Sequence, residues 1–129
     1  MKSTTTTLNR VLTAIALLFA AMANADAADG PNTVVARLWV TPGREAEAVP
    51  RFVKVLEFMR KAEPASVFKL YRSERDSSAF VFIETYPSRA ALEEHTSTTI
   101  PARAKELGPP PAGIFARPPE FEEFRSIEN

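Results

Sequence analysis

One imidazole, one indole and two phenols are the side chains in this 129-residue chain suited to moving protons or holding an aromatic ring: His95, Trp39, Tyr71 and Tyr86. His95 is the only group whose ordinary pKa lies near neutrality. It follows Leu92 by one helical turn, on the same face. A partly buried imidazole there could take a proton from a phenol or an enol. The same position also suits a histidine that only packs and hydrogen-bonds its neighbours. Cysteine is absent, which excludes disulfides, thiolate nucleophiles, iron–sulfur clusters and c-type haem attachment. A metal site would need three carboxylates or a symmetry-related histidine, and no such spacing occurs; Glu93 and Glu94 project differently around the helix from His95. No metal is expected. The four glycines are not grouped into a phosphate-binding loop, and no G-x-S-x-G elbow is present. No nucleotide or flavin site of that kind, and no cofactor, is therefore expected.

The remaining chemistry lies in the aromatic set. Trp39, Tyr71, Phe80, Phe82 and Tyr86 fall on predicted strands, and Phe52 and Phe58 on a predicted helix. Most must be core. Strand side chains facing away from the helices could line an apolar cavity for a planar aromatic ligand. Trp39, Phe82 and Tyr86 are the candidate ring-binding residues, with His95 as candidate base.

The elements that must position them follow from periodicity. Asn32–Val40 alternates, with Val34, Ala36, Leu38 and Val40 on one face and Val35, Arg37 and Trp39 on the other; Thr41-Pro42-Gly43 ends this strand. Over Arg44–Glu63 the period becomes helical, with Val49, Phe52, Val53, Leu56 and Met59 forming the apolar stripe. Pro50 implies that this helix starts near Ala46–Val49 or bends there. Ser66–Glu74 and Ala79–Tyr86 read as a hairpin turning at Arg75–Ser78. Ser88 is a candidate N-cap for a second helix, which places Ala91, Leu92 and His95 on one face. Thr96–Thr99 and Pro101 break that pattern, and Pro101–Leu107 reads as a short separate helix. Gly108–Pro119 carries five prolines and reads as an extended loop rather than a core element, either a rim segment or a dimer arm. Phe121–Ile127 is the last strand, with Glu122 and Glu123 suggesting an edge or a bulge.

The order is β-α-β-β-α-β, an α+β, ferredoxin-like layout spanning residues 32–127. In Ala79–Tyr86, Phe80 and Phe82 alternate with Val81 and Ile83, so both sheet faces need cover. Two helices fit on one face. A second subunit is the simplest cover for the other, and a homodimer is expected.

The N-terminus reads as a cleavable secretory signal over residues 1–25. Lys2 and Arg10 flank a threonine-rich start, Val11–Ala23 is apolar, and cleavage is expected after Ala25, or alternatively Ala23. The apolar stretch is shorter than the roughly 20 residues a spanning helix needs, so no stable membrane anchor is expected after processing, and the mature protein would be secreted or periplasmic. Losing Lys2 and Arg10 takes the sixteen basic residues to 14 against 16 acidic. That slightly acidic balance argues against a nucleic-acid partner.

Two stretches resemble the antibiotic biosynthesis monooxygenase (ABM) family. They are Val34-Val-Ala-Arg-Leu-Trp-Val-Thr-Pro-Gly-Arg-Glu-Ala-Glu47 and Phe80-Val-Phe-Ile-Glu-Thr-Tyr-Pro-Ser-Arg-Ala-Ala-Leu-Glu-Glu-His95. Glu84, Tyr86, Leu92 and His95 fall on the family's pattern of apolar strand, Glu, aromatic, turn and Ala-Leu-x-x-His helix; the similarity runs from about Thr33 to Leu107. The resemblance implies a dimeric α/β barrel and a cofactor-independent monooxygenase that oxidises a quinol or other phenolic aromatic with O2. His95 would be the base, and Tyr86 and Trp39 would hold the ring. In the haem-degrading branch the characteristic Asn, Trp and His positions correspond here to Ala36, His95 and Ala104, so haem degradation is disfavoured. The alternative from another class is a non-catalytic dimeric module that binds a small hydrophobic molecule or a protein partner.

Overall fold

The computed structural model describes residues 30–128; the signal segment predicted over residues 1–25 lies outside the described residues. Strand β1 (Asn32–Trp39) buries every second side chain, as the alternation of Val34, Ala36 and Leu38 predicts. Strands β2 (Val67–Arg72) and β3 (Ala79–Tyr86) form the hairpin, and β4 (Glu120–Arg125) ends the domain. All neighbours are antiparallel in the order β2-β3-β1-β4. Ala36 lies opposite Phe82 on β3 and Phe121 on β4, so these three residues share the helix-covered face. The four strands and their helices make the expected α+β, ferredoxin-like arrangement. Among the described residues no helix is long and apolar enough to cross a membrane.

Helix α1 (Glu45–Ala62) starts one residue before the predicted Ala46–Val49 and carries Pro50 in its second turn. Its buried residues are Ala48, Phe52 and Met59, whereas Val53 is 39% exposed. The buried stripe is thus rotated from the predicted one. The small side chain of Ala48 allows close approach to the sheet, and the i, i+4, i+11 spacing continues that face. Phe52 anchors it, edge-to-face with Phe80 and Phe82 and stacked on Phe115.

Ser88 caps helix α2 (Arg89–Glu94), its Oγ accepting from the Ala91 N–H at 3.1 Å. The predicted break after it is absent. His95–Thr99 is a π-helical turn that continues directly into α3 (Ile100–Leu107), with the Ile100 N–H bonded to the His95 carbonyl. Pro101, which has no N–H to give, sits at the start of α3. The widened turn accommodates the proline without ending the helix.

The proline-rich segment also differs from the expectation that it stays outside the core. Ile114 is 2% exposed, and Phe115 forms an isolated bridge with Val40. The Thr41 N–H donates to the Ile114 carbonyl and the Ala116 N–H to the Trp39 carbonyl, both at 2.8 Å. The segment is therefore strapped along the end of β1, and its two apolar residues complete the core where the helices stop.

Both helical layers cover the same side of the sheet. The opposite side carries Val35, Trp39, Val81 and Ile83, only half-buried, together with the exposed Tyr71 and Phe124. Strand β4 is the expected edge, with all six residues exposed.

Candidate functional site

A cavity of about 280 Å³ lies between the helix-facing side of the sheet, α1, α3 and the proline-rich segment. Its apolar wall is built from Leu38 on β1, Phe82 on β3, Phe121 on β4, Phe52 and Met59 on α1, and Phe115. Period-two alternation turns Phe82 inward and sets Glu84 beside it on the same face. Glu84, Arg51 and Arg103 are the charged residues of the wall. Ligand sites for drug-sized molecules run from roughly 300 Å³ upward, so this cavity suits one or two fused rings. A larger depression of about 540 Å³ lies on the outer helical surface among Lys54, Glu57, Lys61 and Glu106. Those side chains are exposed, and water screens their charges.

Behind the polar end of the cavity is a buried cluster. Tyr86, fully buried, donates its hydroxyl to Glu84 Oε2 at 2.7 Å. Burial, reinforced by the Glu84 carboxylate, pushes the Tyr86 phenol far above its ordinary value, so it remains protonated. Tyr86 packs on His95 with ring centroids 5.1 Å apart, and Phe68 flanks both rings. His95 Nδ1 bonds Glu63 Oε2, the two side chains being 4% and 10% exposed. A carboxylate can only accept, so Nδ1 carries the hydrogen of this bond. Near this cluster Asn32 faces Tyr86 across the β1–β3 ladder, and its buried Nδ2 has no partner among the described residues.

The sequence-predicted site residues separate into three places. Phe82 is in the cavity wall. Tyr86 and His95 touch one another but stand behind Glu84, outside the wall. Trp39 lies on the opposite face of the sheet, where the Arg117 guanidinium sits 3.4 Å from its ring centroid. The rings facing the cavity come from the helix-covered side, not from the side facing away from the helices. Sequence reasoning assigned no role to Glu84, Arg103 or Glu63. Glu84 carried a readable signal, a charge at an inward position between Phe82 and Tyr86. Arg103 did not, because its phase relative to His95 depends on the π turn between them. Glu63 follows the last turn of α1 and meets His95 only through tertiary packing. Among the described residues no group of three or more His, Asp or Glu could hold a metal ion.

Comparison with known proteins gives a consistent result. The chain is similar to a provisionally assigned antibiotic biosynthesis monooxygenase from Caulobacter crescentus CB15, at 28% identity over 78% of this chain and 92% of that one, with a TM-score of 0.63. The structure of Rv0793 from Mycobacterium tuberculosis matches 78% of this chain and 98% of its own at 22% identity and a TM-score of 0.58, which supports the fold alone. Protein sll1783 of Synechocystis sp. is 27% identical over 101 residues, covering 78% of this chain and 67% of that protein. The model of the antibiotic biosynthesis monooxygenase family matches residues 31–110, a span that holds every charged residue of the cavity wall and the cluster behind it. The chain belongs to that family.

Proposed function

We propose that this protein is a cofactor-independent monooxygenase that oxidises a quinol or related phenolic aromatic with O2. The observation that carries the reading is the cavity itself, an aromatic-lined space of one- or two-ring size with a carboxylate and two guanidinium groups at its polar end. Ground-state dioxygen reacts slowly with closed-shell molecules, but a phenolate is electron-rich enough to pass it one electron. The protein then has to exclude water, orient the ring and manage one proton. In the balanced reaction one oxygen atom enters the ring and the other leaves as water, and the quinol supplies all four electrons as it becomes a hydroxyquinone.

Phe52, Phe82 and Phe115 would hold the ring, and Glu84 is the carboxylate able to meet the phenol proton. His95 acts in this reading through Tyr86, whose hydroxyl fixes Glu84; it is a positioning residue rather than one that touches substrate. Trp39, on the opposite face of the sheet, is not among the residues that line this cavity. We also propose that two copies pair through the outer face of the sheet, a reading supported by Val35, Val81, Ile83 and Phe124 on that face, which also carries the Arg37–Glu122 ion pair. The N-terminal sequence pattern supports export, and so a periplasmic or secreted protein.

Oxygen uptake by the purified protein over a panel of hydroquinones and naphthohydroquinones tests the activity. Uptake above the autoxidation rate is expected with at least one quinol. His95→Ala should abolish it, and His95→Gln, which can still donate to Glu63, should restore part of kcat with KM little changed. No uptake by the wild-type protein across the panel would favour the non-catalytic ligand-binding module instead.

A further inference from the structure

The charges around the cavity do not balance. Its wall carries two guanidinium groups, Arg51 and Arg103, against the single carboxylate of Glu84. Arg51 is occupied, donating to the Leu107 and Gly108 carbonyls at 3.3 and 2.6 Å. Arg103 is not. Among the described residues no carboxylate lies within 4 Å of its guanidinium, and its one side-chain contact of hydrogen-bond type is Nη1 to the Met59 sulfur at 3.5 Å, a weak acceptor. Burial destabilises its charged form, Glu84 offsets part of that, and Arg51 adds to it. A half-buried cation facing an apolar space without a counter-ion is costly unless something pairs with it.

We propose that the cavity binds its phenolic ligand as a monoanion, with the phenolate oxygen on the Arg103 guanidinium. The inference rests on the reading that a phenol occupies this cavity, and it specifies the form in which the phenol is held. The surrounding charges set the direction. Glu84, with Glu63 behind it, opposes an anion; Arg103 and Arg51 favour one, and these three wall groups sum to one positive unit for the phenolate to neutralise. Planar guanidinium suits such an oxygen because it presents donors in a fixed fork. An ionised phenol is also the form that gives up an electron to dioxygen. The ionisation step is a simple proton loss, O–H to O⁻, with the proton passing by way of Glu84 to water as the ligand enters, so that Glu84 is again a carboxylate in the complex.

4-Nitrophenol tests this, because its phenolate has its own absorption band and it is not a quinol. Binding of this probe to the full-length protein is titrated by absorbance across a pH series spanning the probe's ionisation. The expected result is that wild type holds the phenolate about tenfold or more tighter than the neutral phenol. Arg103→Met should reverse that preference, since the remaining apolar wall disfavours charge, and Arg103→Lys should retain it. Melting curves for each variant report whether the fold is intact. Preference for the neutral phenol in wild type, an unchanged preference in Arg103→Met, or no binding of the probe would each overturn the proposal. Phenolate binding without oxygen uptake on any quinol would remove the oxygenase reading and leave this one standing. Undiminished quinol oxidation by Arg103→Met would do the reverse.

Discussion

Replacing Tyr86 with phenylalanine removes one oxygen atom from the buried cluster and leaves its packing in place. The hydroxyl lost is the donor to Glu84 Oε2 at 2.7 Å, and Glu84 is itself only 8% exposed. A hydrogen bond to a charged group contributes roughly 1.5–3 kcal/mol, and leaving the buried acceptor unpaired costs a similar amount. Tyr86→Phe should therefore destabilise the protein by about 2 kcal/mol near neutral pH. In a domain of about a hundred residues that is on the order of 10 °C in Tm. The same structure dictates how this difference changes with pH. The folded-state pKa of Tyr86 is raised above the ordinary value of 10.0, first by burial and then by Glu84. Below that ordinary value both folded and unfolded chains keep the proton, and the full stabilisation is present. Above it the unfolded wild-type chain releases the proton while the folded chain holds it. Wild type then loses about 1.4 kcal/mol per pH unit relative to Tyr86→Phe, which has nothing to release there. The two stabilities should converge about 1.5 pH units above the ordinary tyrosine value. Paired urea denaturation at constant ionic strength, from neutral to alkaline pH, measures both the gap and its closure. A gap below about 0.5 kcal/mol near neutrality, or one that stays constant as the pH rises, would refute the reasoning, because either result means the hydroxyl is solvated or Glu84 has another donor.

Three further outcomes follow from other parts of the fold. Ile114→Ala should cost about 2–4 kcal/mol by urea denaturation, the penalty of a core truncation; a cost near zero would mean the proline-rich segment is only draped on the surface. Ile83→Lys places a charge in the middle of the half-buried outer face, and sedimentation velocity should show half the mass of the wild-type species if two copies meet there. The Ser78 hydroxyl donates to Glu45 Oε1 at 2.5 Å and is the main cause of a carboxyl pKa held below its ordinary 4.5. In Ser78→Ala the NMR titration midpoint of Glu45 should rise toward 4.5, and the small acid-side stability this bond contributes, present above that value and lost as pH falls through the folded midpoint, should disappear.

Local sequence determined the elements because local rules govern them. Alternation in Asn32–Val40 and Ala79–Tyr86 decides which side chains face one way, and steric pleating enforces it whatever the neighbours are. Ser88 caps its helix because an extended residue with a short hydroxyl can reach the Ala91 N–H from there. The β-α-β-β-α-β order followed from those elements, and the family from the stretches around Trp39 and His95. Three things required the tertiary structure. Period-two alternation separates the faces of a strand without saying which one the helices cover, so Trp39 and Phe82 could be grouped on paper although the sheet divides them. Helical phase does not survive a π turn, so the face that brings Arg103 to the cavity was invisible from Leu92 and His95. The lone imidazole drew attention by its pKa class, but its partner Glu63 lies 32 residues away in sequence. Only the packing of α1 against the second helical run sets His95 behind Tyr86 rather than on the cavity wall, where the charged residues are Glu84, Arg51 and Arg103.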